Sequence, residues 1–235
     1  MSESPKGTMM YYMIMEYVDG MTMSRDLFDG MSRREKDMIL QGLAEQIQLL
    51  RSVEPTVEPD GHRNGRYYGR IYHQGWHPSF KLVTGPELGL QGPYDTYDDF
   101  VSAVVKSTLH EGMMAYKEFD ESLRRLVANV KSAFGASKDT QPVLTHIDIK
   151  WSNIIVQPLD DKGDGEGPAS YRVVLIDWDG LGWAPAFLQK LLVYERLNLP
   201  YPTKESGEFV GFTKDQYKTE FEWFLTVARY WGLTN

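Results

Sequence analysis

"THIDIKWSNIIV" at residues 145–156 and "YRVVLIDWDG" at residues 171–180 frame a polar stretch, "DDKGDGEGPAS" at 160–170. The runs 153–159 and 171–177 are strand-like and rich in Ile and Val, and the polar segment between them predicts a β-hairpin with a long tip. A short strand is expected just ahead, at Val143 to Thr145. With equal arms, antiparallel pairing sets Asn153, at the mouth of the first hairpin strand, opposite Asp177, at the end of the second. Asp148 lies in the turn that feeds this strand, and Lys150 stands between Asp148 and Asn153. One corner thus receives two carboxylates, an amide and an ammonium. Hard oxygen donors of this kind suit magnesium.

Outward from the hairpin the chain reads mainly as helix. Ser32 followed by Glu35 makes a capping box, and Ile39, Leu43, Ile47 and Leu50 recur at helical spacing, so a helix of about five turns is expected there. A short helix is expected after Thr96. A longer one should carry Tyr116, Phe119, Leu123, Val127, Val130 and Phe134 on one stripe and stop at Gly135. Ala184 to Leu197 reads as a further helix, and Thr213 with Gln216 as a capping box ahead of Tyr217, Phe221, Leu225 and Ala228. From Glu54 to Pro93 the chain is rich in Gly, Pro, His and aromatic residues without a sustained period, which predicts a long ordered loop packed over something. The expected class is α+β, mainly helical.

Composition narrows the function. The 235 residues are 42% hydrophobic and 25% charged, the balance of a globular chain with room for a real core. The absence of cysteine excludes disulfides, thiolate nucleophiles and cysteine-bound metals. A net charge of −8 argues against nucleic acid as a partner, since phosphate neutralisation needs a broad basic surface. No apolar run approaches the roughly 18 residues of a membrane helix, and no signal peptide opens the chain, so a soluble cytoplasmic protein without a membrane partner is expected.

"HIDIKWSNIIV" followed by "LIDWDG" resembles the catalytic loop and metal-binding aspartate of the protein-kinase-like superfamily, most closely its aminoglycoside phosphotransferase and choline kinase branch. "MEYVDG" at 15–20 resembles the hinge of that family, and "LLRSVEP" and "GPYDTYDDF" resemble segments of its fungal members. The resemblance implies that Asp148 orients or deprotonates an acceptor hydroxyl, that Asn153 and Asp177 hold magnesium on the phosphates of ATP, and that Lys150 meets the transferring phosphate. It also implies that backbone groups of Glu16 and Val18 meet adenine. Ile147 departs from the glycine usual in aminoglycoside phosphotransferases. His146 reads as a brace beneath the loop. The implied acceptor is a small molecule bearing a hydroxyl, and the acidic balance of the chain would suit a cationic one.

"MMYYMIMEYVDG" at 9–20 then reads as the hinge-side strand of an N-terminal lobe, covered on both faces and closed by the Asp19-Gly20 turn. Residues 1–20 are expected to be the remnant of that lobe and 21–235 the phosphotransferase C-terminal lobe. No glycine-rich strand pair or Val-Ala-Ile-Lys-like strand occurs in the sequence, so the N-terminal lobe is expected to be largely absent. An unpaired apolar strand would seek a partner, a second chain or a dimer mate. Three readings are then open: an incomplete product of a normal phosphotransferase, a single-lobe protein that has lost catalysis and retains binding, or a shortened enzyme rescued by a partner or dimer.

Other features carry blander readings. His73 and His77 have the spacing of a metal pair, but "HQGWHPSF" contains Gly and Pro and should not be helical. "DDKGDGEG" imitates a calcium loop with Lys162 at a ligand position and no closing Glu. Asp179 is either a further metal or substrate contact or a solvated turn residue. Asp148 and Asp177 could also form the acid and base pair of a glycosidase, although the asparagine between them favours a metal.

Overall fold

The computed structural model describes residues 16–57, 63–64, 67–76, 80–83, 89–116, 120–159, 170–199, 219–220 and 222–224. Its architecture is α+β, with helices packed on small antiparallel sheets. The strands are β1 (Met21–Thr22), β2 (Thr56–Val57), β3 (Arg63–Asn64), β4 (Gly69–Arg70), β5 (Pro142–His146), β6 (Ile154–Leu159), β7 (Ser170–Leu175) and β8 (Leu181–Pro185). The helices are α1 (Arg25–Gly30), α2 (Arg33–Arg51), α3 (Tyr97–Tyr116), α4 (Glu121–Gly135) and α5 (Leu188–Arg196). One sheet runs β1-β6-β7, a second β4-β8-β5, and β2 pairs with β3.

The hairpin β6-β7 is the centre of this arrangement. Its inward residues Ile154, Val156, Val173 and Leu175 are buried, and they join Ile39, Leu43 and Ile47 of α2 in one core with Val130 and Phe134 of α4 and Leu188 and Leu191 of α5. α2 begins with the expected reciprocal cap: Ser32 Oγ accepts from the Glu35 backbone N–H at 3.3 Å, and Glu35 Oε2 accepts from the Ser32 N–H at 2.8 Å. The helix lies so close to β7 that a Cβ on Gly42 would come 2.6 Å from Val173 Cγ2. Only glycine permits that approach.

Several expectations are corrected. The helix after Thr96 is 20 residues long, not short. The stripe expected to run from Tyr116 to Phe134 is divided, because the Asp120 carboxylate accepts from the Leu123 N–H at 2.8 Å and starts α4 afresh. Ala184 and Pro185 belong to β8, and helix begins only at Leu188. β8 is flanked by β4 and β5 and almost wholly buried, so it reads as an unbroken apolar run, which periodicity alone does not separate from a buried helix. The region 54–93 contains β2, β3 and β4, and its own Tyr67, Tyr68, Trp76 and Phe80 are buried.

Toward the N-terminus, residues 16–19 are irregular, and the regular strand is Met21–Thr22, which pairs with Val156 and Ile155. Gly20 makes the turn into it with φ 143°. Residues 9–15, His77, Phe119, the hairpin tip 160–169, and Thr213, Gln216, Tyr217, Phe221, Leu225 and Ala228 lie outside the described residues. Near the C-terminus 219–220 and 222–224 are helical, and Phe224 is buried in the core. No helix among the described residues is long and apolar enough to cross a membrane.

Candidate active site

β5 ends at His146, and the chain crosses from its sheet to the hairpin sheet through residues 147–153. Burial alternates along this crossing. Ile147, Ile149, Trp151 and Asn153 are buried, whereas Asp148 and Lys150 are half-buried and Ser152 is exposed. The apolar anchors hold the segment down and leave the ionisable side chains at the surface of the corner. Trp151 Nε1 donates to the Leu197 carbonyl at 3.2 Å, tying the final 3-10 turn (Trp151–Asn153) to the end of α5.

The structure brings together the four residues of the corner. Asn153 Nδ2 donates to the Asp148 carbonyl oxygen at 2.8 Å and stands 3.3 Å from both Asp148 Oδ2 and Asp177 Oδ2. Lys150 Nζ lies 2.5 Å from Asp148 Oδ2 and 3.9 Å from Asp177 Oδ2. Both carboxylates are thus reached by one amide and one ammonium, at the rim of the core rather than inside it.

The hairpin register differs by one residue from equal arms. Ile154 pairs with Leu175, which brings Ile176 rather than Asp177 opposite Asn153, and the Ile176 N–H donates to the Asn153 carbonyl at 3.0 Å. An extended continuation would send side chain 177 to the other face of the sheet. Asp177 instead adopts φ 64° and ψ 62°, the left-handed region, and this break in the strand lets its carboxylate meet Asn153. A non-glycine residue held there costs about 1 kcal/mol or more, a strain often found at functional positions.

His146 is the brace. It is fully buried, its Nε2 donates to the Ile176 carbonyl at 3.0 Å, and its ring lies 5.0 Å from that of Trp178. Its backbone N–H donates to Gln189 Oε1 at 2.8 Å. Burial lowers the imidazole pKa from its ordinary value, against the opposing pull of the Ile176 carbonyl and of Asp148 and Asp177. A neutral imidazole donating through Nε2 leaves Nδ1 bare, as observed.

Beside Asp148 lies a narrow cleft lined by Arg70, Trp76, Phe80, Gly180 and Arg196, its free volume of about 10 Å³ sufficient for roughly one water. Gly180 shapes its wall, since a Cβ there would come 3.3 Å from the Asp148 backbone nitrogen. Sequence reasoning missed Arg70, Trp76 and Arg196. They come from β4, the loop after it and the last turn of α5, so no local spacing joins them. Asp179, in the Trp178–Gly180 turn, is exposed and accepts from Arg70 Nη2 at 3.1 Å.

The hinge residues stand apart. Glu16 is exposed and Val18 half-buried in irregular backbone, and the structure does not bring either into the hydrogen-bonded corner. His73 is exposed, with Nε2 3.4 Å from Asp95 Oδ1.

The two residues expected to hold magnesium, Asn153 and Asp177, meet through Asn153 Nδ2 and Asp177 Oδ2 at 3.3 Å. No group of three or more His, Asp or Glu residues gathers in a metal-holding arrangement among the described residues. Two protein oxygens fit magnesium, which keeps waters and phosphate oxygens for its remaining positions. Asn153 presents its amide nitrogen to the carboxylates and to the Asp148 carbonyl, so turning its oxygen toward a cation gives up the 2.8 Å hydrogen bond to that carbonyl. A scan against protein-family models finds no match, and no curated protein matches the chain.

Proposed function

We propose that this chain is a phosphotransferase lobe of the kinase-like superfamily, moving the γ-phosphate of ATP to the hydroxyl of a small molecule. The observation that carries the reading is the Asn153 amide nitrogen held 3.3 Å from both Asp148 Oδ2 and Asp177 Oδ2, with Lys150 beside both. Phosphoryl transfer asks mainly for positioning and for charge against phosphate oxygens. An acceptor-side carboxylate next to an amide and a second carboxylate answers that need.

Asp148 accepts the proton of the acceptor hydroxyl as its oxygen bonds to the γ-phosphorus, while the bond to the bridging oxygen breaks and ADP leaves. Magnesium, held by Asn153 and Asp177, would neutralise charge on the phosphate oxygens. Lys150 turns its ammonium from Asp148 toward the transferring phosphate. His146 and the left-handed turn at Asp177 keep the two carboxylates in register. The backbone at Glu16 and Val18 is assigned to adenine on the family resemblance.

Replacing Asp148 by Asn tests this role. The variant is expected to retain Mg-ATP binding and to lose phosphorylation of any acceptor found. Equal turnover in the variant contradicts Asp148 as the base. A non-catalytic binding module is the second reading, favoured by the close Lys150 ion pair that already occupies the Asp148 carboxylate. In that case nucleotide binds and no acceptor is phosphorylated by either form.

A further inference from the structure

The cleft beside Asp148 has an uneven chemistry. Apart from Asp148, the residues with polar side chains that line it are donors: Arg70, Arg196 and Trp76. Trp76 is 3% exposed, yet its Nε1 has no hydrogen-bond partner, and neither has Nε of Arg70 or of Arg196. Buried donors left unpaired are costly, and three around one cleft call for an acceptor.

The nearby acids do not meet that demand. Asp179 takes Nη2 of Arg70 and is itself mostly exposed. Glu195 Oε2 lies 3.1 Å from Arg196 Nε without hydrogen-bonding geometry. Burial pushes the Glu195 carboxyl up from its ordinary value, and the Arg196 guanidinium beside it pulls it back down. Asp148 is matched by Lys150 at 2.5 Å. What remains is a recess whose polar side chains, Asp148 apart, are all donors.

We infer that this cleft is the acceptor subsite and that the acceptor is a small hydroxy acid, its carboxylate held by Arg70, Arg196 and the Trp76 N–H and its hydroxyl turned to Asp148. The inference rests on the phosphotransferase reading for the fate of the hydroxyl, but the carboxylate clamp stands on the cleft alone. A carboxylate is acceptor-only and planar, which matches guanidinium forks and an indole N–H. The free volume of about 10 Å³ takes a single oxygen of such a group and excludes a bulky one. The whole-chain charge of −8, which suited a cationic acceptor, is not the charge of this recess.

Glycerate, glycerol and choline compare an anionic, a neutral and a cationic alcohol of similar size. Titrated calorimetrically into the full chain, glycerate is expected to bind, with glycerol and choline at least tenfold weaker, since charge-assisted hydrogen bonds are worth roughly a factor of ten each. Arg196→Gln and the milder Arg70→Lys should each weaken glycerate by about tenfold for the same reason. Choline or glycerol binding as tightly as glycerate overturns the inference whether or not the variants fold, and so does glycerate affinity unchanged in a folded variant. Mg-ATP titrated into the wild-type chain reads the other claim separately: glycerate binding with no nucleotide binding keeps the clamp and removes the phosphotransferase reading.

Discussion

Lys150 Nζ and Asp148 Oδ2 are 2.5 Å apart, in a pair whose side chains remain 44% and 32% exposed. At that exposure solvent screens the attraction, and such pairs add about 1 kcal/mol or less to stability. Lys150→Met should therefore leave the melting temperature almost unchanged. If Lys150 serves the transferring phosphate, turnover should fall by about 10²-fold, the scale of losing one preorganised transition-state partner. Thermal denaturation and steady-state kinetics on the same preparation read both effects.

The left-handed backbone at Asp177 separates strain from function. Asp177→Gly relieves the strain and removes the carboxylate, so it should keep or raise the melting temperature while abolishing magnesium-dependent nucleotide binding. Asp177→Val places a β-branched residue at the same φ and should destabilise by about 1–2 kcal/mol relative to Asp177→Gly. Denaturant titration of the two variants measures the difference.

Gly42 tests the seat of α2 on the hairpin. Alanine normally gains about 1 kcal/mol over glycine within a helix, but the new Cβ would meet Val173 at Cγ2 and Cβ. Overpacking of this kind costs about 1–3 kcal/mol, so Gly42→Ala should be destabilising and Gly42→Leu more so. Stability measured by urea unfolding gives the sign.

His146 predicts an acid dependence. Its imidazole is held below the ordinary value of 6.5 when folded, so as pH falls through about 6.5 the unfolded chain takes up a proton before the folded chain does. The stability contributed by the neutral ring is complete above that pH and declines below it, until the folded pKa is passed. Raised titration of Glu195 works in the opposite direction, near and above 4.5. Unfolding midpoints should drop between pH 7.5 and pH 5.5 in the wild type and drop less in His146→Asn.

Local chemistry made much of this molecule readable. Ser32 and Glu35 are close in sequence and declare the start of α2 without reference to anything else. Asp148, Lys150, Asn153 and Asp177 were legible because one hairpin gathers them. Their register was not, because a one-residue offset depends on the chain around the tip and on the left-handed turn at Asp177. β8 was hidden because a strand buried on both faces has lost its alternation. The arginine cleft was hidden for a different reason: Arg70, Trp76 and Arg196 meet only through the tertiary fold.

Calorimetric titration of ATP into the full chain, with and without magnesium, tests the central claim most directly. ATP is expected to bind in the presence of magnesium, to bind at least tenfold more weakly without it, and to lose that magnesium dependence in Asp177→Asn, as befits loss of a charged ligand worth roughly 1.5–3 kcal/mol. A folded wild-type chain that shows no magnesium-dependent ATP binding would contradict the account.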